Sequence, residues 1–131
     1  MHNFKELKSW QKAIDFCVDI YKLTGSFPSE EKFGLTSQLR RAGISVPSNI
    51  AEGAGRNSDK EFLYFLSIAT GSSYEIETQL MIAHRLGYIK LEEIKEVELK
   101  LSEIQKMIFA FSRKCYLLFL LDFVQKNQTC P

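Results

Sequence analysis

Residues 38–56, QLRRAGISVPSNIAEGAGR, decide how this chain folds. Leu39, Ala42, Val46, Ile50 and Gly53 recur at three- and four-residue spacing, which sets them along one face of a helix. Pro47 interrupts that pattern. It has no N–H to give the carbonyl of Gly43 and its ring crowds that carbonyl, so the stretch predicts a helix kinked at Pro47, with Gly43 easing the bend. Asn49, Glu52 and Arg56 form a polar row just after the kink, and Arg40 and Arg41 stand just before it. Such a row pairs across a helix interface or holds a ligand. Paired polar groups in helical bundles usually serve geometry, so Glu52 is expected to meet a nearby arginine.

Working outward, the same periodicity and its punctuation give an all-α chain: an antiparallel up-down-up-down four-helix bundle over residues 1–118, followed by an apolar, then disordered, tail over 119–131. The helices are expected near 4–25, 30–54, 59–87 and 90–118. The first opens at Asn3, with Glu6 three residues on, and ends near Gly25; its apolar stripe is read as Leu7, Trp10, Ile14, Cys17 and Tyr21. The second follows Ser29, with Glu30 and Glu31 suiting the positive end of the helix dipole. The third opens with Ser58-Asp59-Lys60-Glu61, a capping box, and carries Phe62, Leu66, Ala69, Ser73, Ile76, Leu80, Ala83 and Gly87 on its inner face. Within it, Ala69-Thr70-Gly71-Ser72-Ser73 predicts close approach of another helix, because a mid-helix glycine costs about 1 kcal/mol against alanine. The fourth keeps a 3-4 repeat through Leu91, Ile94, Val97 or Glu98, Leu101, Ile104, Ile108, Phe111 and Cys115, the seam of an antiparallel bundle or a coiled-coil-like pair. That repeat fails at Asp122, and Tyr116 to Phe123 is apolar almost all round, which calls for burial by a partner chain or by the bundle's end. The final QKNQTCP reads as disordered.

The 131 residues, 45% hydrophobic and 25% charged, suffice for one globular domain with a real core. A net charge of +1 gives no global attraction to nucleic acid or anionic membrane, so such binding has to come from local clusters. Residues 1–60 hold nine Lys/Arg against seven Asp/Glu, and residues 61–100 hold four against seven. Cys17, Cys115 and Cys130 are odd in number, far apart and without a CxxC spacing, the usage of reduced thiols in a cytoplasmic protein. The N-terminus lacks the apolar core of a signal peptide, and the longest apolar run is far too short to span a bilayer.

A search for catalytic and ligand chemistry finds no set that demands an enzyme. A di-iron bundle needs Glu-x-x-His pairs, and the residue three before His84 is Met81. Clustered Cys or His for zinc are lacking, and a nucleophile triad would have to recruit His84 or His2 without supporting context. Gly53, Gly55 and Gly71 do not make a phosphate loop, since neither a preceding strand nor a Lys-Ser/Thr pair accompanies them. The expectation is therefore no catalytic residue, no metal and no cofactor.

The set Trp10-Gln11-Lys12-Ala13, Ile20-Tyr21, Phe27-Pro28, Gly34-Leu35, Gln38-Leu39-Arg40-Arg41-Ala42, Ser48-Asn49-Ile50-Ala51-Glu52-Gly53, Arg56, Gly71-Ser72 and Glu75 to Leu80 closely resembles the four-helix-bundle proteins encoded in intervening sequences of bacterial 23S ribosomal RNA genes. The match covers residues 4 to 114, with several motifs in order at matching separations. The resemblance implies an antiparallel four-helix bundle and a homopentamer. It also implies kinship with the accessory variability protein of diversity-generating retroelements, a pentameric bundle that binds nucleic acid and a reverse transcriptase. No catalytic activity is established by the family, and residues 116–131 depart from its pattern.

Two function classes follow. The first is a noncatalytic homo-oligomeric scaffold or binding protein that engages RNA or DNA without sequence preference, or a protein partner such as a reverse transcriptase, through Arg40, Arg41, Arg56 and Lys60 and a second cluster of Lys5, Lys8 and Lys12. In this class Asn49, Glu52, Arg41 and Arg56 are structural or interface groups. The second is a small-molecule enzyme or ligand-binding protein using Asn49, Glu52 and Arg56, which requires an enclosed pocket around them.

Overall fold

Apolar repeats of three and four, closed off by local caps, produce four α-helices: α1 (Lys8–Thr24), α2 (Leu35–Ala54), α3 (Asp59–Arg85) and α4 (Leu91–Gln128). The computed structural model describes residues 2–128, and among these no strand occurs. Single 3-10 turns precede α1 at Phe4–Glu6 and α2 at Ser29–Glu31. Each helix packs on two neighbours: α2 touches α1 and α3, and α4 touches α3 and α1, with no close backbone approach across either diagonal. The resulting square encloses one core whose largest fully buried side chains include Phe16, Leu39, Phe62, Leu80, Leu101 and Ile104.

The caps explain where the helices begin and end. Ser58 Oγ accepts from the Glu61 N–H at 3.2 Å and donates to the Glu61 carboxylate at 3.0 Å, so the expected cap forms at the start of α3. Glu31 Oε2 accepts from the Leu35 N–H at 2.9 Å, which starts α2 five residues later than expected and leaves Ser29–Glu31 as a separate turn. Gly87 has φ +82°, and around it the Tyr88 N–H reaches the Ala83 carbonyl and the Gly87 N–H reaches the His84 carbonyl, both at 2.9 Å, the paired bonds of a Schellman turn. His84 itself joins the turn, its Nδ1 lying 3.0 Å from the Ile89 carbonyl oxygen.

Three expectations are corrected. The inner stripe of α1 is Ala13, Phe16, Ile20 and Thr24, while Ile14 and Tyr21 are exposed, because α1 bears apolar residues on two faces and only one meets the core. Within the run Ala69–Ser73, α2 comes close at Ser72, whose Oγ lies 2.7 Å from Ser45 Oγ, but Gly71 is not the point of approach and has nothing within 4 Å of where a Cβ would stand; the glycine that permits close packing is Gly53, whose Cβ would lie 2.7 Å from Phe62 Cδ2 and 2.8 Å from Phe65 Cβ. Asp122 does not end α4, which continues to Gln128, so residues 125–128 of the expected disordered end are helical and 129–131 lie outside the described residues. An i,i+4 ion pair with Lys126, at 3.6 Å, accommodates Asp122 within the helix.

Candidate functional site

The polar row on α2 extends further back than Asn49. Gln38, Arg41, Ser45, Asn49, Glu52 and Arg56 follow one another by three or four residues, and Ile68, Ser72, Glu75 and Gln79 do the same on α3. Where the two rows meet, Gln38, Arg41, Ala42, Ser45, Ile68, Ser72, Glu75 and Gln79 line an open groove of about 530 Å³. Its floor holds a hydrogen-bonded pair of hydroxyls, with Asn49 behind it. Ser45 Oγ and Ser72 Oγ lie 2.7 Å apart, and the Asn49 amide donates to the Ser45 carbonyl at 2.8 Å and to its Oγ at 2.9 Å. At one end the Gln79 amide reaches Gln38 Oε1 at 3.4 Å, while Gln79 Oε1 is enclosed and accepts no hydrogen bond.

The expected cations divide by what they touch. Arg40 is held at the end of α1: its Nε donates to Thr24 Oγ1 at 2.9 Å, its Nη2 to the Tyr21 carbonyl at 3.3 Å, and its guanidinium lies 4.6 Å from the Tyr21 ring centre. Arg56 donates to Glu52 at 2.8 Å and covers the Phe65 ring at 4.8 Å. Lys12 donates to Glu103 at 2.6 Å, and Lys8 adds to the field that holds the Glu103 carboxyl below its ordinary pKa, behind the larger effect of Lys12. Arg41, Lys60 and Lys5 are exposed and make no ion pair among the described residues. Nor do Arg41 and Lys60 share a patch: Arg41 stands beside Ser72 and Glu75, about 20 Å along the helices from Lys60 at 1.5 Å per residue.

Asn49 bonds within its own helix, and Glu52 meets Arg56 one turn away at the surface; neither lines the groove. The groove residues that sequence reading passed over, Gln38, Ser45, Ser72, Glu75 and Gln79, carried a signal in the three-four spacing of the polar row. The two central cysteines hold protonated thiols: burial pushes the Cys17 and Cys115 pKa values up, and at Cys115 the charge of Asp59 adds to the rise. Among the described residues no group of three His, Cys, Asp or Glu is placed to hold a metal ion, and no helix is long and apolar enough to cross a membrane.

The model of the family described as 23S rRNA-intervening sequence protein matches residues 5–110, the whole bundle up to the last turns of α4. The chain belongs to that family. A crystal structure of a protein of unknown function from the S23 ribosomal protein family of Bacteroides thetaiotaomicron superposes with a TM-score of 0.75 at 28% identity, covering 80% of this chain and 95% of its own. No match was found among curated proteins. The family match takes in α2, α3 and the groove between them, and it stops short of the last 18 described residues of α4.

Proposed function

We propose that this 23S rRNA-intervening sequence protein is a noncatalytic, homo-oligomeric scaffold, a homopentamer on its family resemblance, whose α2–α3 face closes on further copies and whose free cations, repeated by symmetry, hold nucleic acid by its backbone. The observation that carries this reading is the open space over Gly71. A glycine in the middle of α3 costs about 1 kcal/mol against alanine, and among the described residues nothing packs on it in return. Its chain neighbour Ser72 lines the adjoining groove with Arg41 and Gln79, whose Oε1 has no partner among the described residues, and a second copy laid over this face would supply contacts to the groove as well.

The same reading takes the bundle as antiparallel throughout, supported by opposed contacts: Ser45 with Ser72 but Gln38 with Gln79, and Lys12 with Glu103 but Asp19 with Lys100. It places a bend in α2 at Pro47 and the protein in the cytoplasm, where Cys17 and Cys115 stay reduced. A single chain of net charge +1 binds a polyanion weakly, and several identical clusters engaged together gain avidity. Phosphate contacts of this kind carry no sequence information and weaken as salt rises. Sedimentation of the native protein tests the assembly, and titration of labelled single-stranded and duplex RNA and DNA at low and moderate salt tests the binding. An assembly that binds with a falling salt dependence is expected; absence of binding at low salt overturns the nucleic-acid role.

A further inference from the structure

Beyond Cys115, the last buried residue of α4, the helix runs on for 13 described residues, about 20 Å at 1.5 Å per residue, with Phe119, Asp122, Phe123 and Lys126 bordering an open cleft against residues 57–60 at the start of α3. Tyr116, Leu117, Leu118, Phe119, Leu120, Leu121, Phe123 and Val124 are all between 38 and 60% exposed. At roughly 150–250 Å² per large side chain, they leave on the order of 600–1,000 Å² of largely apolar surface open. A partner helix lies along one side of this surface and covers part of it, a contact at the small end of the scale set by the about 800 Å² each partner contributes to a standard protein interface. The family match ends at residue 110, so this surface belongs to the chain's own addition to the bundle.

The chemistry of the extension narrows what covers it. An in-plane membrane helix needs a polar face opposite its apolar one, and Tyr116–Leu121 has apolar residues all round. At 9 residues, Tyr116–Val124 is also less than half of a spanning segment. A second copy of the same segment is apolar in the same way and of matching area.

The outer face of α4 also fixes the direction of such a pairing. Lys95, Leu99, Ser102, Lys106, Phe109, Arg113, Leu117, Leu120 and Val124 form one continuous row at spacings of three and four, carrying three basic residues along the bundle and only apolar ones beyond it. Two copies lying parallel along this row would set Lys95, Lys106 and Arg113 against their own counterparts. Two copies running in opposite directions, overlapping only past Arg113, leave those charges in solvent.

We propose that the α4 extension is a self-association element that pairs with the extension of a second copy in the opposite direction, Leu117 beside Val124 and Leu120 beside Leu121, so that two bundles, or two assemblies of bundles, meet end to end. This pairing is independent of the α2–α3 face: that face builds an assembly from the matched bundle, and the extension joins two such units.

The test uses the full chain. Sedimentation equilibrium of wild type and of Leu117→Glu/Val124→Glu should show the variant at half the wild-type mass, with circular dichroism confirming unchanged helix content, whereas a substitution on the α2–α3 face should leave extension pairing intact. Cross-linking then reads the direction, in chains lacking native cysteines 17, 115 and 130 by replacement with serine. Leu117→Cys mixed with Val124→Cys should form mixed disulfides in preference to either self-linked species. An unchanged mass in the glutamate variant, preferential self-linking of each cysteine variant, or a wild type that stays unpaired in solution and sediments with lipid vesicles would each overturn the proposal.

Discussion

Ser45 on α2 and Ser72 on α3 place their hydroxyl oxygens 2.7 Å apart, and the Asn49 amide donates to the same Ser45 oxygen at 2.9 Å. The Ser45 oxygen thus takes part in two hydrogen bonds where α2 and α3 meet. Ser72 is 7% exposed, so water replaces its partner poorly. Ser72→Ala and Ser45→Ala should each lower the unfolding free energy by about 1 kcal/mol. Because both remove the same bond, the double variant should lose clearly less than the two single losses combined, which a urea-unfolding double-mutant cycle measures. Simple additivity would mean that the two hydroxyls act separately.

Two glycines on the α2–α3 pair should respond in opposite ways to alanine. At Gly53 the new methyl would stand within 2.8 Å of Phe62 and Phe65, and overpacking of this kind costs about 1–3 kcal/mol. At Gly71 nothing stands within 4 Å, so alanine should raise the stability of an isolated chain by up to about 1 kcal/mol through helix propensity. If copies close over Gly71, the same substitution should weaken assembly while helix content is kept. Thermal melting beside sedimentation of both variants separates these effects.

Much of this fold is legible in the sequence because the relevant signals are local. The α2 and α3 faces follow from their spacing, and Ser58 with Glu61 marks the start of α3 without reference to anything distant. The α1 stripe was not legible, since Phe16 and Ile20 compete with Ile14, Val18 and Tyr21 for the core and only the position of α2 decides between them. Gly71 and Gly53 show the same limit: a small residue permits close approach, and the partner's side chains determine whether it happens. The site was half legible. The polar row is visible in the spacing from Gln38 to Arg56, but Arg40 and Arg41, adjacent in sequence, point to α1 and to the groove respectively, and helix packing makes that distinction.

Leu101 and Ile104 are at most 1% exposed and form the middle of the α4 seam. Truncating either to alanine removes buried methyl and methylene groups and leaves a cavity the neighbouring helices fill only in part. Each variant should lose about 2–5 kcal/mol in chemical denaturation. Leu99, two residues before Leu101 and 74% exposed, provides the control: Leu99→Ala should stay within about 0.5 kcal/mol of wild type.

Cys115 is 2% exposed, and burial followed by the Asp59 charge holds its thiol pKa above the ordinary value, with Lys114 opposing. Its folded pKa therefore lies above its unfolded one. The stability this contributes is complete below an unfolded thiol pKa of about 8.5 and is lost as pH rises through the folded value. In a Cys17→Ser/Cys130→Ser chain, alkylation at pH 8 should be slow in the native state and fast in denaturant. Replacing Cys115 by alanine should flatten the fall in stability above pH ~8.5.

Arg40 and Arg41 give the sharpest separation of structure from function. Arg40 satisfies the Thr24 hydroxyl and the Tyr21 carbonyl at the last turn of α1, where unpaired carbonyls gather, and its charge suits the negative end of that helix. Arg40→Ala should therefore cost about 1–2 kcal/mol, since bonds from a charged donor are lost and the Tyr21 ring loses its cover. Arg41 is exposed beside the groove, so Arg41→Ala should change stability by less than about 0.5 kcal/mol. Its effect should appear instead in assembly or in nucleic-acid affinity, with Arg41→Glu giving a larger loss and Arg41→Lys retaining most of the binding. Chemical denaturation, sedimentation and a salt-varied titration on the same three variants measure all of this. Stability loss at Arg41 equal to that at Arg40, with binding and assembly untouched, would show that the groove arginine serves packing alone.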